Sequence, residues 1–344
     1  MSSRGLVRSC LSFEYPEKIP VHLWTLPWAE RRYPKEMEEL RRRYPNDIVN
    51  CIDVYQASPK VKGSPHEIGT YTDEWGCQFV NIQYGVIGEV KQPLLADIGD
   101  WRNVEPPLEI LPPDLDKARD AVNRFCGQSD KFVIANCCPR PWERYQFLRG
   151  TVNAMVDVMD FSADVQGFLS LIQSFYLREL EFWASTDVDA VMFMDDWGAQ
   201  SQLLIPPAAW RDIFKPLYRD YGDIAHSHGK FLFMHSDGHI TEIYADLIEV
   251  GVDALNSQLF CMDLAGLSAI AKGKITFWGE IDRQHVLPSG NPETGREAVR
   301  KVAAHLYDPS GGIIAQLEFG AGAHPAVVSA VFDEWESLHQ KRRP

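Results

Sequence analysis

The chain has 344 residues, with 34 Lys and Arg against 48 Asp and Glu, so its formal net charge is −14 when His is taken as neutral. This acidity argues against a nucleic-acid-binding protein, because phosphate recognition requires a concentrated basic surface. The chain has no apolar run near the ~18 residues of a membrane span. Its N-terminus has no apolar signal core, and its 7 Cys predict free thiols rather than a disulfide framework. A cytoplasmic protein without nucleic-acid or membrane partners is expected.

The first 130 residues are rich in Pro, Gly and Trp and have an irregular pattern. Two apolar segments, 19–24 and 47–54, predict buried strands, with a helix at 35–43 between them. Alternation and glycines over 70–92 predict a twisted hairpin, which we interpret as a lid outside the regular architecture. A further helix is expected at 115–125.

From residue 131 the chain repeats one theme, a short β-branched or aromatic run followed by an amphipathic helix. Further strands are predicted at 132–136, 190–194, 231–234, 254–258, 275–279 and 312–317. Helices are predicted at 163–184, 207–228, 240–250, 264–271, 292–306 and 325–339. Eight strands alternating with helices, without a Gly-rich dinucleotide loop, predict an α/β fold of the (β/α)8 or TIM-barrel type. We expect one domain over 1–344, with a strand-and-hairpin region at 1–130 and regular βα units at 131–344.

Polar residues collect where the predicted strands end, which is where such barrels carry their chemistry. The candidate catalytic residues are Asp196, His235, Asp237, Glu280, Asp282 and Glu318. The candidate substrate-binding residues are Trp24, Trp28, Asn136, Trp197, Gln200 and Gln258. Of the neighbours Asp195 and Asp196, one is expected to cap the following turn and the other to face the pocket.

A metal site is predicted from His235 and Asp237, which are two residues apart at a strand end and therefore point the same way. Glu318, at the end of the last strand, is the expected third ligand from across the barrel mouth. These nitrogen and oxygen donors are typical of a zinc site with an open position.

Several spaced segments resemble the uroporphyrinogen decarboxylase-like superfamily. They run PRPWERYQFLRG, VMFMDDWGAQSQLLI, AHSHGKFLFMHSDGHI, ITFWGEIDRQHVLPSG and GGIIAQLEFG, and the similarity covers most of 139–340. The resemblance implies a (β/α)8 barrel and one of two chemistries. These are the metal-free decarboxylation of uroporphyrinogen and methyl transfer to or from a corrinoid protein, which in many members uses zinc.

The chain departs from both patterns. The stretch PVHLWTLPWAERR at 20–32 lacks the Met-Arg-Gln-Ala-Gly core of the decarboxylases, and only Arg31 or Arg32 could stand for its second arginine. Many of the methyltransferases bind zinc through His-x-Cys and a distant Cys, whereas Asp237 and Glu318 are the oxygens available here. Loss of thiolates leaves a harder, more Lewis-acidic site. Such a site suits an oxygen leaving group, as in a methoxy-aromatic compound.

The resemblance therefore implies a corrinoid-linked methyltransferase or demethylase acting on a small methylated compound. His235, Asp237 and Glu318 would polarise the leaving atom, and Asp196, Glu280 or Asp282 would act as general acid. The sequence has no Asp-x-His-x-x-Gly motif, so the corrinoid would come from a partner protein or as the free cofactor. A bound zinc ion and a homodimer are left open. The alternatives are a metal-independent decarboxylase or other lyase, and a non-catalytic barrel that binds a small ligand or a corrinoid.

Overall fold

A computed structural model describes residues 1–342 and contains a sheet of eight parallel strands in the order β1-β11-β10-β9-β8-β7-β6-β2. These strands are β1 (Val21–Thr25), β2 (Ile48–Asn50), β6 (Phe132–Ile134), β7 (Ala190–Met194), β8 (Phe231–Ser236), β9 (Ala254–Ser257), β10 (Thr276–Trp278) and β11 (Ile313–Phe319). Each coincides with one of the eight strands expected from the sequence. Together with the surrounding helices they form a (β/α)8 barrel, which confirms the predicted fold class.

The helices are α1 (Ser3–Leu11), α2 (Pro27–Arg32), α3 (Pro34–Arg43), α4 (Leu115–Gln128), α5 (Pro141–Arg149), α6 (Thr151–Asp160), α7 (Ala163–Ala184), α8 (Pro207–Ile213), α9 (Lys215–Ser227), α10 (Thr241–Glu249), α11 (Leu264–Ala271), α12 (Pro292–Leu306) and α13 (Pro325–Arg342). Short 3-10 turns lie at Ile98–Asn103, Leu108–Ile110, Leu259–Cys261 and Leu287–Ser289. The single helix predicted over 207–228 is instead two, because Pro216 lacks the N–H that would continue the ladder. Within 1–342, none of the helices has the length and apolar character needed to cross a bilayer.

The hairpin expected over 70–92 is a three-stranded antiparallel sheet outside the barrel, formed by β3 (Gly69–Thr72), β4 (Gln78–Asn81) and β5 (Glu89–Val90). Its apolar side chains pack on helices that follow barrel strands. Trp75 lies edge-on to Phe175 of α7, with ring centroids 5.3 Å apart, and Phe79 lies edge-on to Phe147 of α5 at 5.1 Å. The sheet is thereby held beside the carboxyl end of β6.

The amino end of the barrel is closed by α1, which the sequence analysis did not predict. Val7, Cys10 and Leu11 of this helix are buried in one cluster with residues of the strand interiors. Arg4 and Arg8 pair with the buried carboxylate of Asp189 at 3.0 and 2.7 Å, respectively. These pairs anchor the helix against the barrel floor.

The barrel seam between β1 and β2 has no strand ladder and is closed by side chains together with one main-chain hydrogen bond, from the Asp47 amide to the Val21 carbonyl at 2.8 Å. The Leu23 amide donates to Asn46 Oδ1 at 2.7 Å, and Asn46 Nδ2 donates back to the Leu23 carbonyl at 3.2 Å. The Val21 amide donates to Asp47 Oδ2 at 2.9 Å. These two side chains satisfy main-chain groups that a neighbouring strand would otherwise pair.

Asn46→Ala is expected to lower the free energy of unfolding by about 1–3 kcal/mol, because it leaves the amide and carbonyl of Leu23 unpaired at the seam. Urea denaturation measures this change. Asn153→Ala is the matched control, since Asn153 is exposed and makes one hydrogen bond, to the Arg149 carbonyl at 3.3 Å. Equal destabilisation by the two substitutions would show that the seam hydrogen bonds contribute nothing specific.

Candidate active site

Three of the predicted site residues meet at the carboxyl ends of β7 and β8. His235 Nε2 lies 3.6 Å from Asp196 Oδ1 and 3.5 Å from Asp237 Oδ1. The Asp237 amide donates to Asp196 Oδ1 at 2.9 Å, which holds the two loops together. One potential ligand atom from each residue lies within 4.8 Å of the others, so we call Asp196, His235 and Asp237 the triad.

The orientation of the His235 ring follows from its hydrogen-bond partner. Asn256 Nδ2 donates to the main-chain carbonyl of Trp278, which can only accept, and to Gln316 Oε1 at 2.8 Å. Asn256 Oδ1 therefore faces His235 Nδ1 at 2.6 Å and must accept the hydrogen of that nitrogen. In the neutral ring the lone pair is then on Nε2, directed at the two carboxylates.

The electrostatic surroundings of the triad favour a positive charge on His235. Burial by itself would lower the pKa of His235, but the carboxylates of Asp237 and Asp196 and the more distant Glu280 outweigh it and raise that pKa. Burial raises the pKa of Asp196, which the charge on His235 opposes. A proton or a metal ion at Nε2 would be stabilised by the same acidic surroundings.

Arg283 is the residue of this region that the sequence analysis missed. Its Nη2 donates to both oxygens of Asp237 at 2.6 Å and its Nη1 donates to Glu318 Oε1 at 3.2 Å. Its Nε lies 3.1 Å from Glu280 Oε2, as an ion pair. One guanidinium thus holds three carboxylates from three different strand ends. Its position three residues after Glu280, within a segment already rich in site candidates, was the available sequence signal.

Glu280 is the buried member of this group, with 2% of its surface exposed. Burial raises its pKa to about 8, although Arg283 opposes the shift. The physical reason is that three carboxylates share one cation, so the one most removed from water keeps its proton. The oxygen that does not face Arg283, Oε1, is buried without a hydrogen-bond partner and is the atom free to carry that proton.

Two further predicted residues occupy structural positions. Asp282 Oδ1 accepts from the amides of Gln284 and His285 at 2.7 and 2.9 Å, so it shapes the turn after β10. Trp197 is fully buried, stacked on Trp142 with centroids 5.2 Å apart. Its predicted role as a pocket wall is therefore wrong, because the ring packs in the core beneath the loop.

The two adjacent acids have different partners, and neither of the main-chain hydrogen bonds to Asp195 is to the turn that follows it, which it or its neighbour was expected to cap. Asp195 caps the amino end of α5 by accepting from the amides of Trp142 and Glu143 at 3.0 and 2.9 Å. Asp196 joins the triad. Glu318, the predicted third metal ligand, instead lies against Arg283, so Asp196 takes its place in the set of donor atoms that the fold brings together.

Two hollows border this region. The larger has a volume of about 530 Å³ and lies under the three-stranded sheet, with Asn136 in its lining. The smaller has about 100 Å³ and is lined by Gln200, Gln258, Glu280 and Asp282. Trp24 lies against the His235 ring at 5.7 Å, whereas Trp28 packs on Tyr33 at 6.0 Å. The predicted substrate-binding residues therefore do not line one common pocket.

No protein-family model matches the chain, and no curated protein does either. Among solved structures, a methyltransferase from Methanosarcina mazei matches 98% of this chain and 99% of its own, with a TM-score of 0.71 and 12% identity. A class V chitinase from Pseudomonas fluorescens Pf-5 (8% identity, 92% and 99% covered) has a TM-score of only 0.42. A putative vitamin-B12 independent methionine synthase from Listeria monocytogenes (10% identity, 95% and 95% covered) has one of 0.36. The chain therefore shares the fold of the methanogen protein over nearly its whole length.

Proposed function

We propose that the chain belongs to the methyltransferase branch of the uroporphyrinogen decarboxylase-like superfamily. It transfers a methyl group from a small methylated compound with an oxygen leaving group, such as a methoxy-aromatic ether, to a corrinoid supplied in trans. The full-length fold shared with a methyltransferase supports this placement. The observation that carries the proposal is Glu280, a buried acid that is protonated at neutral pH beside a cluster of polar strand-end residues.

Cleavage of a methyl–oxygen bond leaves a negative charge on the departing oxygen unless a proton reaches it. Glu280 Oε1 supplies that proton, and Arg283 then stabilises the resulting carboxylate through Oε2. A corrinoid, when bound, supplies the cobalt that accepts the methyl group. The larger hollow is of the size that takes a small molecule, so the corrinoid macrocycle would approach the barrel mouth from outside.

The triad fits a divalent metal ion such as zinc. It offers one imidazole nitrogen and two carboxylates, and Asn256 fixes the ring so that Nε2 faces the carboxylates. These residues would hold the ion, which would polarise the leaving oxygen. Arg283 already neutralises Asp237, so Asp196 and His235 would contribute most to binding.

The direct test incubates the purified protein with reduced cobalamin and a panel of methoxylated benzenes, and detects the demethylated product by mass spectrometry. Product that requires both protein and cobalamin supports the proposal. Turnover of uroporphyrinogen without cobalamin would replace it with the decarboxylase alternative. Arg31 and Arg32 are exposed on α2 and line neither hollow. These two arginines therefore do not provide the cationic pocket that the decarboxylase alternative would need. Ligand binding without any product would indicate a binding protein.

Asn256→Ala is expected to weaken zinc binding by about 10–100-fold, because the substitution removes the partner that orients His235. Competition with a chromophoric chelator measures the dissociation constant. Asn136→Ala is the control, since Asn136 lines the larger hollow and is not among the triad. An unchanged zinc affinity in the Asn256 variant would remove the triad as the metal site.

A further inference from the structure

The larger hollow combines an aromatic wall with an excess of acidic groups. It lies between the carboxyl end of β6, the helices α5 and α7, and the three-stranded sheet. Its four carboxyl groups outnumber its two guanidinium groups, so the lining has a formal excess of negative charge. Aromatic faces attract cations, and such a lining therefore suits a compound with an apolar body and a positive charge. The rings include Tyr55, Trp75, Phe79, Phe147, Phe175 and Tyr176.

Both guanidinium groups of the lining are already paired with carboxylates of the chain. Arg144 is buried and pairs with Asp73 and, at 3.3 Å, with Glu74. Arg140 pairs with Glu143, with its Nη1 4.0 Å from Oε2. These pairs use three of the four acids and both cations, so neither arginine is free to compensate the fourth acid.

That fourth acid is Glu179 of α7. Its side chain lines the hollow with 7% of its surface exposed, and no Lys, Arg or His of residues 1–342 lies within ion-pair distance of it. Burial raises its pKa to about 7, and the nearby charge of Glu74 adds to the shift. A buried carboxylate without a counter-charge is costly, and a bound cation would remove that cost.

The neighbours of Glu179 prepare it to accept hydrogen bonds. Trp183 Nε1 donates to the Tyr55 hydroxyl oxygen at 2.8 Å, which leaves the hydroxyl hydrogen to be donated to Glu179. A carboxylate has about four acceptor positions, so most of this capacity remains for a ligand. Phe175 and Tyr176 precede Glu179 by four and three residues on α7 and therefore share its face of the helix.

A protonated amine matches this arrangement, because it carries one positive charge and donates charge-assisted hydrogen bonds to a carboxylate. We propose that the larger hollow binds an aromatic compound bearing a protonated amine, with Glu179 accepting hydrogen bonds from the ammonium group. The inference rests on the proposed function in one respect: it makes the methyl donor an aromatic ether that carries an ammonium group.

The hollow adjoins the side of the barrel mouth that carries the triad. Glu143 lines the hollow, and its amide donates at 2.9 Å to Asp195, the residue before Asp196. The charges of Asp196 and His235 act on Glu143. A ligand held by Glu179 could thus direct its methyl group toward the triad while its ring lies on the aromatic wall.

Isothermal titration with three compounds of similar shape tests the inference without any methyl acceptor. These are 4-methoxyphenethylamine, which is a cation at neutral pH, the neutral 2-(4-methoxyphenyl)ethanol and the anionic 4-methoxyphenylacetate. The intact protein should bind the amine at least about tenfold more tightly than the alcohol, as expected for charge-assisted hydrogen bonds, and should bind the acid most weakly.

Glu179→Gln should bring the preference for the amine over the alcohol to near one, and Glu179→Asp should retain part of it. Glu181→Gln is the matched control, because Glu181 is two residues further along α7 and exposed to solvent. Thermal melting verifies that each variant is folded. The ratio of two ligands on one variant separates recognition from loss of structure, since misfolding weakens both together.

Equal binding of the amine and the alcohol, no binding of either, tighter binding of the acid, or a preference that survives Glu179→Gln would overturn the inference. Glu179-dependent binding of the amine without demethylation of any ether would keep this inference and reject the proposed methyl transfer. Demethylation confined to neutral or acidic ethers would do the reverse.

Discussion

Glu280→Gln is expected to lower kcat for methyl transfer from an oxygen donor by about 10²–10⁴-fold, the usual contribution of a positioned general acid. The amide keeps the shape of the side chain and can still lie beside Arg283, but it cannot deliver an acidic proton. Steady-state formation of the demethylated product measures the loss. KM should change little, because the departing oxygen acquires charge only in the transition state.

The pH profile distinguishes this role from a structural one. The pKa of Glu280 is raised to about 8, so the carboxyl is protonated below that pH and the activity that depends on it falls as the pH rises through 8. The Gln variant should lack this alkaline limb. Asp282→Asn is the matched control, since Asp282 serves the turn through Gln284 and His285. A larger loss in the Asp282 variant than in the Glu280 variant would assign the acid to Asp282.

Arg283→Met is expected to destabilise the protein by about 3–5 kcal/mol at pH 8, because it leaves three carboxylates at the barrel mouth without their shared cation. Glu280, whose pKa burial raises, loses the cation that opposes this shift. The part of the penalty that comes from Glu280 is therefore full at high pH and shrinks as the pH falls and this carboxyl is protonated. Urea denaturation at pH 8 and pH 5 measures both values.

Arg219→Met provides the control for that series. Arg219 pairs with Glu249 at 3.0 Å on the surface, where both side chains are at least half exposed, so its loss should change stability little at either pH. A pH-independent effect of Arg283→Met would show that the side chain acts by packing rather than by charge.

The barrel was predictable because its strands are buried on both faces and therefore read as short continuous apolar runs, as at 190–194 and 231–234. Polar residues that interrupt this pattern at strand ends mark the mouth, which is how Asp196, His235 and Asp237 were found. The helix α1 was not predicted, since it packs against the barrel floor through Val7, Cys10 and Leu11 rather than following a strand.

The partners within the site were less predictable, because they depend on which loops meet across the barrel. Asp237 and Glu318 are 81 positions apart in the chain, and only the closed sheet brings both to Arg283. Trp197 and Asp196 are adjacent in sequence, yet the Trp197 ring is in the core and the Asp196 carboxylate belongs to the triad. The local sequence pattern does not predict whether a loop side chain points into the core or into the site, because loop residues have no fixed periodicity.

The sequence by itself, acidic at −14, 45% hydrophobic and alternating between strands and helices, determined the barrel and the end of it that carries polar groups. Only the tertiary structure decided which charged side chains pair with one another at that end of the barrel. It places Arg283 among three carboxylates and keeps a proton on Glu280. The reason is that pKa values and ion pairs depend on distance and burial, which arise only when separate loops are folded together.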